Sequence, residues 1–99
     1  MIEYNENIDP LLNKGIVILE FYAKWCGTCR QVSKSIAAIE SKLPYTFVRI
    51  DSDRDKLVLK KYHVQGIPVV LVLKDGVEVD RTSGSLTVFE LELYLNSVL

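Results

Sequence analysis

The run IVILEFYA, residues 16–23, is apolar or aromatic at every position but Glu20. A run with so little alternation fits a strand buried on both faces, as found in sheets covered by helices. From Cys26 the period changes. Cys29, Val32, Ile36, Ile39 and Leu43 step by 3, 4, 3 and 4, which is one face of a helix. A buried strand that turns so quickly into an amphipathic helix must cross over the sheet and return to it. Such a crossover leads to a parallel neighbour. Pro44 is expected to stop the helix.

The rest of the chain fits this frame. YTFVRID (45–51) reads as a second buried strand. DKLVLKKYH (55–63) reads as a short helix, with Asp53 and Asp55 at the end where the helix dipole favours negative charge. VVLVLK (69–74) is a third strand. Asp75-Gly76 is a two-residue hairpin signal, and VEVDRT (77–82) returns antiparallel. Thr87 and Glu90 form a capping box. The last helix follows, with Val88, Leu91, Leu95 and Val98 on one face. A short strand or helix within residues 2–13 completes the pattern. The expected fold is α/β: a three-layer sandwich with a mixed central sheet of four to five strands and helices on both faces. At 99 residues, one domain over 1–99 is expected.

Charge and hydropathy narrow the function. The formal net charge is -1, with Lys and Arg spread along the chain. Neither a nucleic-acid nor a membrane surface is expected. The longest apolar stretches are strand-sized, too short to span a bilayer. The N-terminus, MIEYNENIDP, lacks the basic flank and apolar run of a secretory signal. A cytoplasmic protein with reduced thiols is the expectation.

Both cysteines lie in FYAKWCGTCRQV, residues 21–32. Cys26 falls at the first turn of the expected helix, where unsatisfied N–H groups and the dipole stabilise a thiolate. Cys26 is thus expected to be an exposed nucleophile of lowered pKa. Cys29, one turn further on the buried face, can reach back to close a small-ring disulfide. Cys26 would attack a substrate disulfide and Cys29 would resolve the mixed disulfide. Two other readings stand beside this one. A closed zinc site needs four ligands, and with one histidine, His63, the chain would have to share the site with a second copy. The cysteines could also be inert core residues.

Three features together resemble the thioredoxin family over nearly the whole chain. They are Ala23 to Arg30 (A-x-W-C-G-x-C-R), Gly66-Ile67-Pro68, and Lys74-Asp75-Gly76 with Ser83-Gly84 beyond. The resemblance implies a thioredoxin-like fold and a protein-disulfide reductase working through a Cys26–Cys29 disulfide. It implies a cis bond before Pro68, which leaves the Ile67 backbone free to pair with an extended substrate. It also implies a substrate-binding rim of Trp25, Gly27, Thr28, Ile67, Pro68, Ser83 and Gly84. No bound cofactor and no metal are expected. Electrons would come from NADPH through a thioredoxin reductase, and the partners would be that reductase and disulfide-containing proteins. The rivals are a glutathione-linked, glutaredoxin-like reductase and a thioredoxin-fold adaptor that binds without turnover.

Four positions depart from the family pattern. Glu20 matches the place of a buried aspartate and reads either as the acceptor of the Cys29 proton, its pKa raised by desolvation, or as a carboxylate that reaches the sheet edge and is solvated. Phe47 stands in the place of a lysine beside that acid, which would raise the Glu20 pKa further. Thr28 replaces a proline. Its N–H, absent in proline, would favour the Cys26 thiolate and make the couple less reducing by tens of millivolts. Lys34 replaces a kinking proline, so a straighter helix is expected. His63 reads as a cap on the short helix rather than as a catalyst. Arg30 reads equally as a groove charge or a solvated one. Phe89 and Leu93, spaced i, i+4 off the core face, read as scattered exposed residues or as a weak dimer surface on an expected monomer.

Overall fold

The computed structural model describes residues Met1–Leu99. Its strands are β1 (Ile2–Glu3), β2 (Ile16–Tyr22), β3 (Thr46–Asp51), β4 (Val69–Lys74) and β5 (Val77–Ser83). Its helices are α1 (Gly27–Ile39), α2 (Lys56–Lys61) and α3 (Val88–Val98). Short 3-10 helices span Glu6–Asn13 and Glu40–Lys42. The N-terminal segment thus holds both a strand and a helical stretch.

The five strands stand in the order β1-β3-β2-β4-β5. β1, β3 and β2 run parallel, while β4 and β5 are antiparallel additions. β2 is therefore the central strand, which explains its unbroken apolar run. Its odd residues, Val17, Leu19 and Phe21, pack with Val58, Leu59 and Tyr62 of the α2 side. Ile18 points the other way, into a core with Val32, Ile36, Leu91 and Leu95 of α1 and α3. Glu20 shares that parity, so strand geometry alone aims its carboxylate at α1.

Helix ends follow their local chemistry. Thr87 and Glu90 close the capping box that opens α3. α1 runs unbroken past Lys34 but ends at Ile39, earlier than expected. Pro44 disfavours helical backbone at the residue before it. Leu43 is accordingly extended (φ -122°, ψ 142°), and a 3-10 turn bridges the gap. Val88 is the other small correction: it is 37% exposed rather than buried with Leu91.

α2 ends in a left-handed cap centred on His63 (φ 56°). His63 N–H donates to Lys60 O, and Val64 N–H to Leu59 O. This is the bond pattern in which glycine is usual, and a side chain there is strained. Replacing His63 by Gly is expected to stabilise the fold by up to about 1 kcal/mol, and His63→Val to destabilise it. Denaturant midpoints of the two variants check this. At the β4–β5 hairpin, Asp75 (φ 50°) and Gly76 (φ 83°) both take the positive φ that a tight two-residue turn needs.

Candidate active site

Cys26 caps the N-terminus of α1 with extended backbone (φ -90°, ψ 110°), and its Sγ accepts a hydrogen bond from Cys29 N–H at 3.1 Å. The two cysteines form a disulfide, with Cα atoms 5.2 Å apart. Two expectations change here. Cys26 is only 8% exposed, not an open thiol, because Tyr22, Ala23 and Ile67 pack around the pair. The donor to Cys26 Sγ is Cys29 N–H rather than Thr28 N–H.

Of the expected rim residues, Ile67 packs against the cluster that holds the pair. Trp25 is 70% exposed, and its Nε1 donates to Asp53 Oδ2 at 2.9 Å. Asp53 therefore orients the indole as well as standing before α2. The Ile67–Pro68 bond is cis, in the loop that lies alongside the pair. Gly84 N–H donates to Pro68 O at 3.1 Å, and Gly84 has φ 91°. Ser83 lies opposite Val69 in the β4–β5 ladder. Gly27, Thr28, Ser83 and Gly84 are all exposed.

Behind Cys29 lies a polar network. Glu20 is fully buried, on the central strand rather than at a sheet edge. Ser33 Oγ donates to Glu20 Oε2 at 2.5 Å. Arg49 Nε stands 3.8 Å from Glu20 Oε1. Burial pushes the Glu20 carboxyl above its usual range, while the Ser33 hydrogen bond and the Arg49 charge pull it back in part. This corrects the reading of Phe47. The register pairs Glu20 with Arg49 and Ile18 with Phe47, so the acid keeps a cationic neighbour two residues further along the strand. Phe47 instead joins the core under α1 and α3.

Arg49 is held from several sides. Its guanidinium lies 3.8 Å from the Tyr22 ring centroid, and Nη1 is 3.9 Å from Glu3 Oε1. Tyr22 OH donates to Glu3 Oε2 at 2.7 Å. Burial and then this bond push the Tyr22 hydroxyl up to about 12. A cleft of about 290 Å³ opens onto this network, lined by Cys29, Ser33, Arg49, Tyr22 and Glu3 among others. A larger cleft of about 460 Å³, between the N-terminal 3-10 helix and α2, contains no member of the pair.

His63, Phe89 and Leu93 contact neither cysteine, whereas Arg30 follows Cys29 and lines the same cleft. His63 is exposed at its helix cap. Arg30 reaches back to Lys24 O at 3.1 Å. Phe89 (70%) and Leu93 (53%) are exposed on α3. Ser33, Arg49 and Asp53 make contacts at the site that the sequence alone assigned to none of them. Two of them carried a signal: Arg49 is the one charge inside TFVRI, and Ser33 sits one helical turn after Cys29.

A disulfide at a strand-to-helix junction, beside a cis-proline loop and in front of a buried carboxylate, defines a thiol–disulfide oxidoreductase. Comparison with known proteins narrows the class. The family model described as Thioredoxin matches residues 2–97. The thioredoxin of Chlamydia trachomatis is 34% identical over 80 residues, covering 80% of this chain and 78% of the relative. Thioredoxin H-type 1 of Nicotiana tabacum is 38% identical over 85 residues, covering 84% and 68%. The crystal structure of Fasciola hepatica thioredoxin superposes with a TM-score of 0.86 at 27% identity and full coverage of both chains. The chain belongs to the thioredoxin family and is a protein thiol–disulfide oxidoreductase.

Proposed function

We propose that this chain works in the reducing direction, as a protein-disulfide reductase, with residues 1–99 acting as a single domain. Cys26 is the nucleophile. The N-terminus of α1 and the Cys29 N–H favour negative charge on its sulfur. The thiolate attacks one sulfur of a substrate disulfide, and the other sulfur leaves as a thiolate. Cys29 then gives its proton to Glu20 and attacks Cys26 Sγ. The mixed disulfide breaks, the second substrate thiolate leaves, and the Cys26–Cys29 disulfide remains. The observation that carries this reading is the pair's placement: Cys26 at the cap, 8% exposed, and Cys29 behind it at 1%.

Trp25, Gly27, Thr28, Ile67, Pro68, Ser83 and Gly84 form the substrate-binding rim. Neither Ile67 N–H nor Ile67 C=O has a main-chain partner within the chain. Both are available to an extended substrate segment, which makes recognition tolerant of sequence. The chain itself needs no bound cofactor in this reading. Electrons arrive from NADPH through a thioredoxin reductase and leave to disulfide-containing proteins. The setting is cytoplasmic electron transport and redox homeostasis, with the chain acting as a monomer. No helix is long and apolar enough to cross a membrane.

The electron donor is tested by supplying NADPH with a thioredoxin reductase, or glutathione with its reductase, and following reduction of a protein disulfide. Turnover with the first donor and little with the second is expected. The reverse preference would favour the glutaredoxin-like reading. Binding without turnover from either donor would leave the adaptor.

A further inference from the structure

The mechanism needs a path from Cys29 to Glu20, and the cleft behind Cys29 does not supply it directly. Cys29, Ser33 and Arg49 line that cleft, and Glu20 does not. Glu20 has one hydrogen bond, from Ser33 Oγ to Oε2. Its other oxygen, Oε1, is buried without a hydrogen bond and faces Arg49 Nε, which is also unpaired. Ser33 Oγ further accepts from Arg49 Nη2 at 3.4 Å. On α1, Ser33 follows Cys29 by four residues, so the two side chains lie on one face, one above the other. The half-buried Ser33 hydroxyl therefore stands between the cleft and the sealed carboxylate.

We propose that Ser33 is a positioning residue for the resolving step: its hydroxyl holds Glu20 ionised and connects it to the cleft at Cys29. This rests on the reading of Glu20 as proton acceptor. As Cys29 loses its proton, water in the cleft passes one to Ser33 Oγ, and Ser33 passes its own to Glu20 Oε2. The net change is Cys29 thiol and Glu20 carboxylate to Cys29 thiolate and Glu20 carboxylic acid. The Ser33 hydroxyl ends as it began. The Cys29 thiolate then breaks the mixed disulfide at Cys26.

The charged and titratable groups around Glu20 come from each neighbouring element. β3 offers Arg49, β1 offers Glu3 and the preceding N-terminal amine, which pairs with Glu40, and β2 itself offers Tyr22, while Lys24, Cys29 and Arg30 line the cleft that Ser33 and Arg49 also line. On β4 the paired residue is the apolar Val70. Ser33 is the one uncharged group among them that hydrogen-bonds the carboxylate. Removing a donor from an ionised acceptor disfavours ionisation. Without Ser33 the acid limb that Glu20 sets should move to higher pH.

The test follows the reduced protein reacting with 5,5′-dithiobis(2-nitrobenzoic acid) by stopped flow. The first thionitrobenzoate release reads attack by Cys26. The second reads resolution by Cys29, free of the titration of Cys26. In Ser33→Ala the second phase should slow about tenfold near neutral pH, with its acid limb about one pH unit higher. Ser33→Thr, which keeps the hydroxyl, should restore the limb. The first phase should be unchanged in both. The carboxylic-acid infrared band of Glu20, titrated in parallel, should move with the limb. If Glu20→Gln loses the limb while Ser33→Ala keeps it at the wild-type pH, the Ser33 proposal is overturned and the Glu20 reading stands. If Glu20→Gln keeps the wild-type limb, Glu20 is not the acceptor and both fall. Circular dichroism melts separate either result from misfolding.

Discussion

Cys26→Ser is expected to abolish disulfide reduction, while Cys29→Ser still attacks substrate but stops after one step. The asymmetry follows from placement. Cys26 has the helix N-terminus behind its sulfur, the Cys29 N–H at 3.1 Å and the residual solvent window. Cys29, at 1% exposure, meets no incoming protein disulfide. A serine hydroxyl at position 26 is a far weaker nucleophile at neutral pH, since it is activated neither by a lowered pKa nor by an adjacent base. With Cys29→Ser, Cys26 still forms the mixed disulfide, but nothing resolves it. The chain should accumulate as a covalent adduct with its substrate, seen by non-reducing electrophoresis and mass spectrometry. Equal activity of both variants would contradict the division of roles.

Glu20→Gln is expected to give a more stable and slower protein. Burial raises the Glu20 pKa. Between the unfolded carboxyl value, about 4.3, and the raised native value, the folded state holds more protons than the unfolded one. Stability therefore falls as pH rises through that window and stays reduced above it. Glutamine has the same shape, stays neutral and can keep the contact with Ser33. Removing one member of a buried ion pair can strand the other, which is costly. Arg49 is not stranded: it is about one-third exposed, lies against the Tyr22 ring and has Glu3 nearby. The cost of burying the charge should win, so that Glu20→Gln is the more stable protein at pH 8 and the difference vanishes below about pH 4. Resolution by Cys29, having lost its proton acceptor, should slow by about 100-fold. Denaturant titrations at pH 4 and pH 8, with single-turnover kinetics, check both halves. Loss of stability at pH 8 would show that the Glu20–Arg49 pair is net stabilising.

Most of the fold was legible because its signals are local. The apolar run of β2, the 3–4 spacing of α1, Asp75-Gly76 and the Thr87/Glu90 box each act within a few residues. The cysteine pair was legible for the same reason. What escaped depended on how strands and loops meet. A shift of two residues in register keeps every side chain on its face, so the apolar pattern could not say whether Phe47 or Arg49 stands beside Glu20. The exposure of Cys26 depends on Ile67, 41 positions away in the chain and brought back by the loop before β4. Asp53 looked like a dipole residue because its bond to Trp25 is made only after folding. At its fourth position from Cys29, Ser33 is the kind of residue that reads as an ordinary polar helix position until Glu20 is placed opposite.

The most direct test of the account is a redox titration of the Cys26–Cys29 couple against a dithiol buffer, followed through the fluorescence of Trp25, the residue next to Cys26. One reversible two-electron transition is expected, more reducing than about -230 mV and near the thioredoxin value of about -270 mV. A pair that shows no reversible two-electron transition, or one near the -180 mV of an isomerase, would contradict a protein-disulfide reductase.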